Sequence, residues 1–270
     1  MPERVKRALA RATFDELQSR GLTPIGLLCA SADPALIEIA GVCGYDFVVF
    51  EGEHTPWSTN EILPLVRAAE LVGLVPLYRT ANDSQSLIQR TLDMGAGGVV
   101  IPHVETAAQA TAIVTATRFP RSGGTRGMST ATHGTFYSDG NWPTFDEESS
   151  ANFIVAVIIE SKLGLQNVEE IAAVDGIDYV FFGPGDLSYD LGVAPDSDAM
   201  IDAWNEVVLA TRASGKRLLA VSATAGLQPD QADAVLAGID LSIYSRAAQS
   251  ELDSHRAKFA RSLPSQGSEK

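Results

Sequence analysis

The chain has 270 residues, 45% hydrophobic and 20% charged. That composition excludes a disordered chain and leaves room for one large core. Its 34 acidic and 20 basic residues give a formal net charge of −14, which argues against nucleic acid or an anionic membrane as the main partner. An anionic small molecule stays open, because one cation or arginine can dominate a pocket. The two cysteines, Cys29 and Cys43, are too few for a disulfide scaffold or a cysteine zinc site and read as reduced, semi-buried thiols.

The first 22 residues are charged, lack an apolar signal core and read as an amino-terminal helix. No stretch approaches about 18 apolar residues, so a soluble cytoplasmic protein is expected. Short strand-like runs then alternate with amphipathic stretches. The strands are predicted over 24–30, 46–51, 75–79, 98–102, 153–160, 179–183, 217–222 and 240–244. Several, such as Val48-Val49-Phe50 and Val155-Ala156-Val157-Ile158-Ile159, are continuously apolar, the texture of parallel strands buried on both faces.

Helices are predicted over 34–42, 58–72, 83–94, 106–117, 167–174, 199–214, 228–236 and 246–262. The first has Asp33 as its cap and Pro34 at its first position. Gly44, Gly73, Gly95, Gly215 and Gly238 fall where left-handed residues end helices. Eight strand–helix units in this length predict an α/β fold, a single (β/α)8 TIM barrel spanning 1–270. An open doubly wound sheet is the competitor, but no Gly-x-Gly-x-x-Gly turn follows the first strand. Residues 119–152 break the rhythm. This stretch is rich in Gly, Ser and Thr and carries Arg121, Arg126, His133, Tyr137 and Trp142. A long loop of this kind is expected to be a lid or an interface segment. Residues 264–270 read as a frayed tail.

In such a barrel the active site lies at the carboxyl-terminal ends of the strands. Those ends carry Glu51-Gly52-Glu53-His54, Arg79, Pro102-His103, Glu160-Ser161, Gly183-Pro184-Gly185-Asp186, Ser222 and Tyr244-Ser245-Arg246. Glu160 ends a wholly apolar strand and needs a partner, since an unpaired buried charge is costly. With Asp186 from the next strand it suits Mg2+ or Mn2+. The plainer alternatives are a Glu160–arginine pair and Asp186 as a helix cap. His54 is either a general base or a surface histidine. Arg79 either clamps an oxyanion or pairs with Glu51 or Glu53, and the two are compatible. His103 reads as rim packing or a substrate contact. The Gly183-Pro184-Gly185 backbone offers N–H groups to a carboxylate, or is simply a tight turn.

These residues resemble a known family. Gly44-Tyr45-Asp46-Phe47-Val48 followed by Glu53-His54-Thr55-Pro56, Arg79 with Asn82-Asp83, and Leu92-Asp93-Met94-Gly95-Ala96-Gly97-Gly98 are similar to elements of the HpcH/HpaI aldolase/citrate lyase family. So are Ala116-Thr117-Arg118-Phe119-Pro120, Thr125-Arg126-Gly127, Ile159-Glu160 and Gly183-Pro184-Gly185-Asp186-Leu187-Ser188. The resemblance covers residues from about Gly21 to Ala247. It implies a phosphoenolpyruvate/pyruvate-type barrel and a class II pyruvate aldolase, such as those acting on 4-hydroxy-2-oxo-heptanedioate or 2-keto-3-deoxy-glucarate.

The resemblance also implies roles. Glu160 and Asp186 would hold a divalent cation, Mg2+ or Mn2+ or Co2+. Pyruvate would lie on that cation, its carboxylate near the backbone of Gly185 and Asp186, with Ser222 at the same rim. Arg79 would stabilise the enolate oxygen, His54 would act as general acid and base, and Asp93 would orient His54. Asp93 is expected at the far end of its helix from His54 of its own chain, so a neighbouring subunit would supply the contact. The resemblance implies a hexamer, a trimer of dimers, with the last helix exchanged. Three positions depart from the family pattern: Glu51 for Asp, Ile158 for Gln and Leu28 for Trp.

The expected reaction is reversible cleavage of a 4-hydroxy-2-oxo acid to pyruvate and an aldehyde. The alternatives are oxaloacetate decarboxylation or an enolate-trapping synthase on the same site, an acyl-CoA lyase, and a non-catalytic barrel that binds an oxo acid.

Overall fold

Strands form where the apolar runs fall, and their parallel pairing closes a ring. The computed structural model describes residues 10–137 and 142–259. In chain order the strands are β1 (Ile25–Cys29), β2 (Phe47–Glu51), β3 (Val75–Arg79), β4 (Gly98–Ile101), β5 (Ile154–Ile159), β6 (Tyr179–Phe182), β7 (Arg217–Val221) and β8 (Ala234–Ile239). Each pairs in parallel with the next, and β8 returns to β1, giving a closed eight-stranded barrel. The helices are α1 (Ala10–Ser19), α2 (Pro34–Cys43), α3 (Thr59–Leu71), α4 (Gln85–Asp93), α5 (Ala107–Thr117), α6 (Trp142–Asn152), α7 (Lys162–Gln166), α8 (Val168–Ala172), α9 (Pro184–Leu191), α10 (Asp198–Ala213) and α11 (Asp240–Lys258). Among the described residues, no helix is long and apolar enough to cross a membrane.

Alternation along each strand divides the core in two. Phe47, Val49, Val75, Leu77, Ile158 and Phe181 are among the residues that fill the barrel interior. Val48, Phe50, Val99, Val157, Val180 and Phe182 face outward and are buried by the helices. Both faces are therefore apolar, as parallel strands under a helical ring require. The amino-terminal end is plugged by α1. Phe14 packs against Phe47 and Tyr179, with ring centroids 5.0 and 5.9 Å apart. Arg11 holds Asp178 at 2.6 Å and donates to the Phe153 carbonyl at 3.1 Å. With that end closed, polar chemistry is left to the opposite rim.

Asp33 caps α2 by accepting from the Ala35 N–H, and Gly44 ends it in the left-handed region at φ 91°. Gly73, Gly95 and Gly215 are left-handed as expected.

Four readings are corrected. The eighth strand is Ala234–Ile239, not 240–244, so Tyr244, Ser245 and Arg246 lie within α11 and not on the rim. The helix predicted over 228–236 is absent: turns fill the link between β7 and β8 and the strand starts inside the predicted span. Ala-Val-Leu-Ala is equally apolar at either period, and pairing with β1 and β7 decides it. Gly238 accordingly sits inside β8 and ends no helix. Cys29 is buried, but Cys43 is exposed.

The 119–152 segment is not structureless: it holds two 3-10 turns and α6. Its contacts run along the outer helices. Gln85 donates to the Thr125 carbonyl, the Gly127 N–H donates to Gln89, His133 meets Glu70 at 2.7 Å, and Arg67 donates to Tyr137. Residues 1–9 of the expected first helix, the tail 264–270 and the Trp142 side chain lie outside the described residues.

One polar residue ties the last unit to the first. Asp240 opens α11 and is buried. Its carboxylate accepts from the backbone N–H groups of Ala30 and Ser31 at 2.8 and 3.1 Å and from the Ser31 hydroxyl at 2.6 Å. Asp240→Ala leaves those donors unmet and is expected to cost about 2–3 kcal/mol, a fall of roughly 4–10 °C in melting temperature. Thermal unfolding by circular dichroism checks this, with Asp240→Asn expected to lose less.

Candidate active site at the carboxyl-terminal rim

The register of the barrel brings acids and one guanidinium together. Glu51 ends β2 directly opposite Arg79, the end of β3. Arg79 Nε lies 3.1 Å from Glu51 Oε1 and 3.0 Å from Oε2. Its Nη2 lies 2.7 Å from Glu53 Oε2, near enough for an ion pair but not aligned as a hydrogen bond. Glu51 Oε1 also accepts from the backbone N–H groups of Glu53 and His54, at 2.7 and 3.1 Å. The Glu51 carboxylate thus shapes the loop that carries Glu53 and His54. Between them Gly52 admits no side chain: a Cβ there would stand 2.5 Å from the Arg79 carbonyl oxygen.

Glu160 follows β5 and is 3% exposed. Its Oε1 accepts from the His103 backbone N–H at 2.8 Å, and His103 Nδ1 stands 3.5 Å from the same oxygen. The other ring nitrogen, Nε2, is 3.0 Å from Glu53 Oε1. His103 reaches both acids because its backbone is left-handed, at φ 53°, a conformation that costs a non-glycine residue roughly 1–2 kcal/mol. Burial pushes the Glu160 carboxyl above its ordinary value. The His103 N–H and the charges of His103 and Arg79 pull it back, and Glu53 adds to the rise.

Glu53, His103 and Glu160 offer ligand atoms that all lie within 4.8 Å of one another. Among the described residues, Glu51, Glu53 and Glu160 face one guanidinium, Arg79, which is taken up by the first two. An excess of buried negative charge, presented by hard oxygen donors with an imidazole beside them, fits a divalent cation.

The other expected residues fall as follows. Gly183 packs on Glu160: a Cβ added to it would meet Glu160 Oε2 at 3.0 Å. Gly185 and Asp186 follow in the first turn of α9, both exposed, and Asp186 is not one of the three clustered ligands. His54 lies on the rim with its side chain 62% exposed, 3.8 Å from Glu53 Oε2. Ser222 follows β7 and donates to the Ala237 carbonyl. Asp93 is far down its helix, as expected, and binds Arg126 Nη2 at 2.7 Å. No contact joins Asp93 to His54 among the described residues.

The residues that sequence reasoning undervalued are Glu53 and His103. The signal for Glu53 was its place two residues beyond a strand end. For His103 the only signal was its position after Pro102, and the left-handed backbone that turns it inward has no mark in the sequence.

The family model described as HpcH/HpaI aldolase/citrate lyase matches residues 24–243. A 2-keto-3-deoxy-L-rhamnonate aldolase of Salmonella dublin is 34% identical, covering 93% of this chain and 94% of that protein. A hydroxypyruvate/pyruvate aldolase of Deinococcus radiodurans is 32% identical, covering 96% and 95%. A solved HpcH/HpaI aldolase/citrate lyase family protein from Burkholderia cenocepacia superposes with a TM-score of 0.83 at 26% identity, covering 91% of this chain and 99% of that one. With its closed barrel and its acids at the strand ends, this chain belongs to the HpcH/HpaI aldolase/citrate lyase family.

Proposed function

We propose that this protein is a divalent-metal-dependent carbon–carbon lyase that reversibly cleaves a 4-hydroxy-2-oxo acid to pyruvate and an aldehyde. One observation carries the reading: a buried carboxylate, Glu160, at the mouth of a family barrel, where the guanidinium of Arg79 is already engaged by two other acids. Glu160 and Asp186 hold the cation, which is Mg2+, Mn2+ or Co2+. The aldolase relatives, 32–34% identical over nearly the whole chain, support the same chemistry.

In this reaction the C3–C4 bond breaks and its electron pair passes into the C2 carbonyl, leaving pyruvate enolate. The cation, when bound, supplies the Lewis acidity that stabilises the charge on the keto oxygen. Arg79 points its guanidinium at the same developing charge, and its pairs with Glu51 and Glu53 fix the orientation of the fork. The N–H groups at the start of α9, around Gly185 and Asp186, receive the pyruvate carboxylate. Ser222 borders the same space. His54, exposed to the mouth, takes the 4-hydroxyl proton through a water.

Asp93 acts on the His54 of a neighbouring subunit. It lines a surface cleft of about 340 Å³ with Asn60, Arg90, His133 and Tyr137, and its bond to the wholly buried Arg126 holds the carboxylate in place. The assembly is a hexamer, a trimer of dimers.

Three outcomes follow. Glu160→Gln is expected to abolish turnover and to remove the rise in melting temperature that Mn2+ gives the metal-stripped wild type. Full activity in that variant would end the assignment. His54→Ala is expected to slow aldol cleavage about 10²–10⁴-fold while oxaloacetate decarboxylation, which removes no hydroxyl proton, falls far less. Equal losses in the two assays would remove His54 from that role. Co-expressed His54→Ala and Asp93→Ala subunits, each strongly impaired in aldol cleavage alone, are expected to recover that activity in mixed oligomers, and a mixture no more active than its parts would show that no site is shared.

A further inference from the structure

His103 stands between two acids, and it offers a ligand atom within 4.8 Å of those of both Glu53 and Glu160. Its Nε2 lies 3.0 Å from Glu53 Oε1, and its Nδ1 lies 3.5 Å from Glu160 Oε1. The Glu160 side chain is only 2% exposed, while the His103 ring is 54% exposed and so open to the mouth. The Glu160 oxygen concerned is held from another side by the His103 backbone N–H at 2.8 Å. The turn is fixed in its own right: Gln109 Nε2 donates to the His103 carbonyl at 3.1 Å, and Gln109 Oε1 accepts from the Glu105 N–H at 2.9 Å.

A gap of 3.5 Å between two donors is one that a single ion can bridge with bonds of about 2.0–2.2 Å. Carboxylate, imidazole N–H, opposite ring nitrogen and metal in series is also the arrangement by which proteins orient a histidine ligand: the acid behind the ring fixes the tautomer and raises the basicity of the ligating nitrogen. Glu53 occupies that place. It is itself held by Arg79 at 2.7 Å.

We propose that His103 is a protein ligand of the active-site cation, through Nδ1, with Glu53 as the acid that sets its tautomer. The donor set of this chain is then mixed nitrogen and oxygen, not oxygen alone. Imidazole binds Co2+ and Zn2+ far better than Mg2+, so the site favours those ions over Mg2+ more strongly than carboxylates alone would. The inference rests on the Glu160 metal site proposed above and adds a ligand to it.

The test is pulsed electron paramagnetic resonance of the metal-stripped full chain reloaded with Mn2+, with titration calorimetry of Co2+ and Mg2+. Wild type is expected to show nitrogen-14 coupling to Mn2+. His103→Asn keeps the left-handed backbone, which asparagine adopts readily. It is expected to lose that coupling and to bind Co2+ at least ~10-fold more weakly, with Mg2+ affinity changed less than about threefold, as loss of an imidazole ligand predicts. His54→Ala is expected to keep the coupling, which excludes the other rim histidine as its source.

Mn2+ bound in a Glu160-dependent manner without nitrogen coupling, or with coupling that survives His103→Asn, would overturn the assignment of His103 and leave the lyase reading intact. Mn2+ affinity unchanged in Glu160→Gln would overturn both.

Discussion

A buried carboxylate at the barrel mouth governs this molecule. Glu160 sits at the end of an apolar strand, 3% exposed, and burial alone drives its carboxyl toward the protonated form. Arg79 is near but is bound to Glu51 and Glu53. A fold selected for stability alone would not leave this corner so acidic, because buried like charges repel and lose their hydration. The arrangement makes sense as a receptor for positive charge.

The fold exists to hold that corner still. Register sets Glu51 opposite Arg79, and β5 beside β6 sets Glu160 against Gly183, where no side chain fits. The barrel interior beneath is apolar, packed by Phe47, Leu77, Ile158 and Phe181 and sealed by Phe14 of α1. Field lines from the acids are therefore not screened from below. The last unit is fastened to the first through Asp240, which closes the ring on which the register depends. Among the described residues, the contacts of the long segment between α5 and β5 run along the outer helices of its own chain. It lies on the outer helices and buries Arg126 against Asp93.

Much of this was legible in the sequence, because parallel strands buried on both faces are written as unbroken apolar runs. Seven of the predicted strands lie within a residue or so of those observed. The eighth was misplaced because Ala234–Ile239 carries glycine and small residues and reads as readily as helix; its neighbours across the barrel decide its state. Glu160 and Arg79 were legible because a charge at the end of an apolar strand is conspicuous. The partnership of Glu53 and His103 was not. It joins residues fifty positions apart through a left-handed turn, and nothing local marks such a turn when the residue is not glycine. Asp240 was hidden by the same strand error, which placed it at the start of a strand and so gave it no helix to open. Asp93 was correctly placed at the far end of α4, but its buried partner Arg126 came from a segment with no periodic signal.

The central claim is that a cation sits at Glu160 and Asp186 when the protein works. Diffraction from crystals grown with Mn2+ and pyruvate, collected at a wavelength where manganese scatters anomalously, tests it most directly. The account predicts one strong anomalous peak at the barrel mouth, bonded to carboxylate oxygens of both Glu160 and Asp186 at about 2.0–2.3 Å. A mouth with no such peak at saturating Mn2+, or an ion that leaves Glu160 bound only to His103, would contradict it.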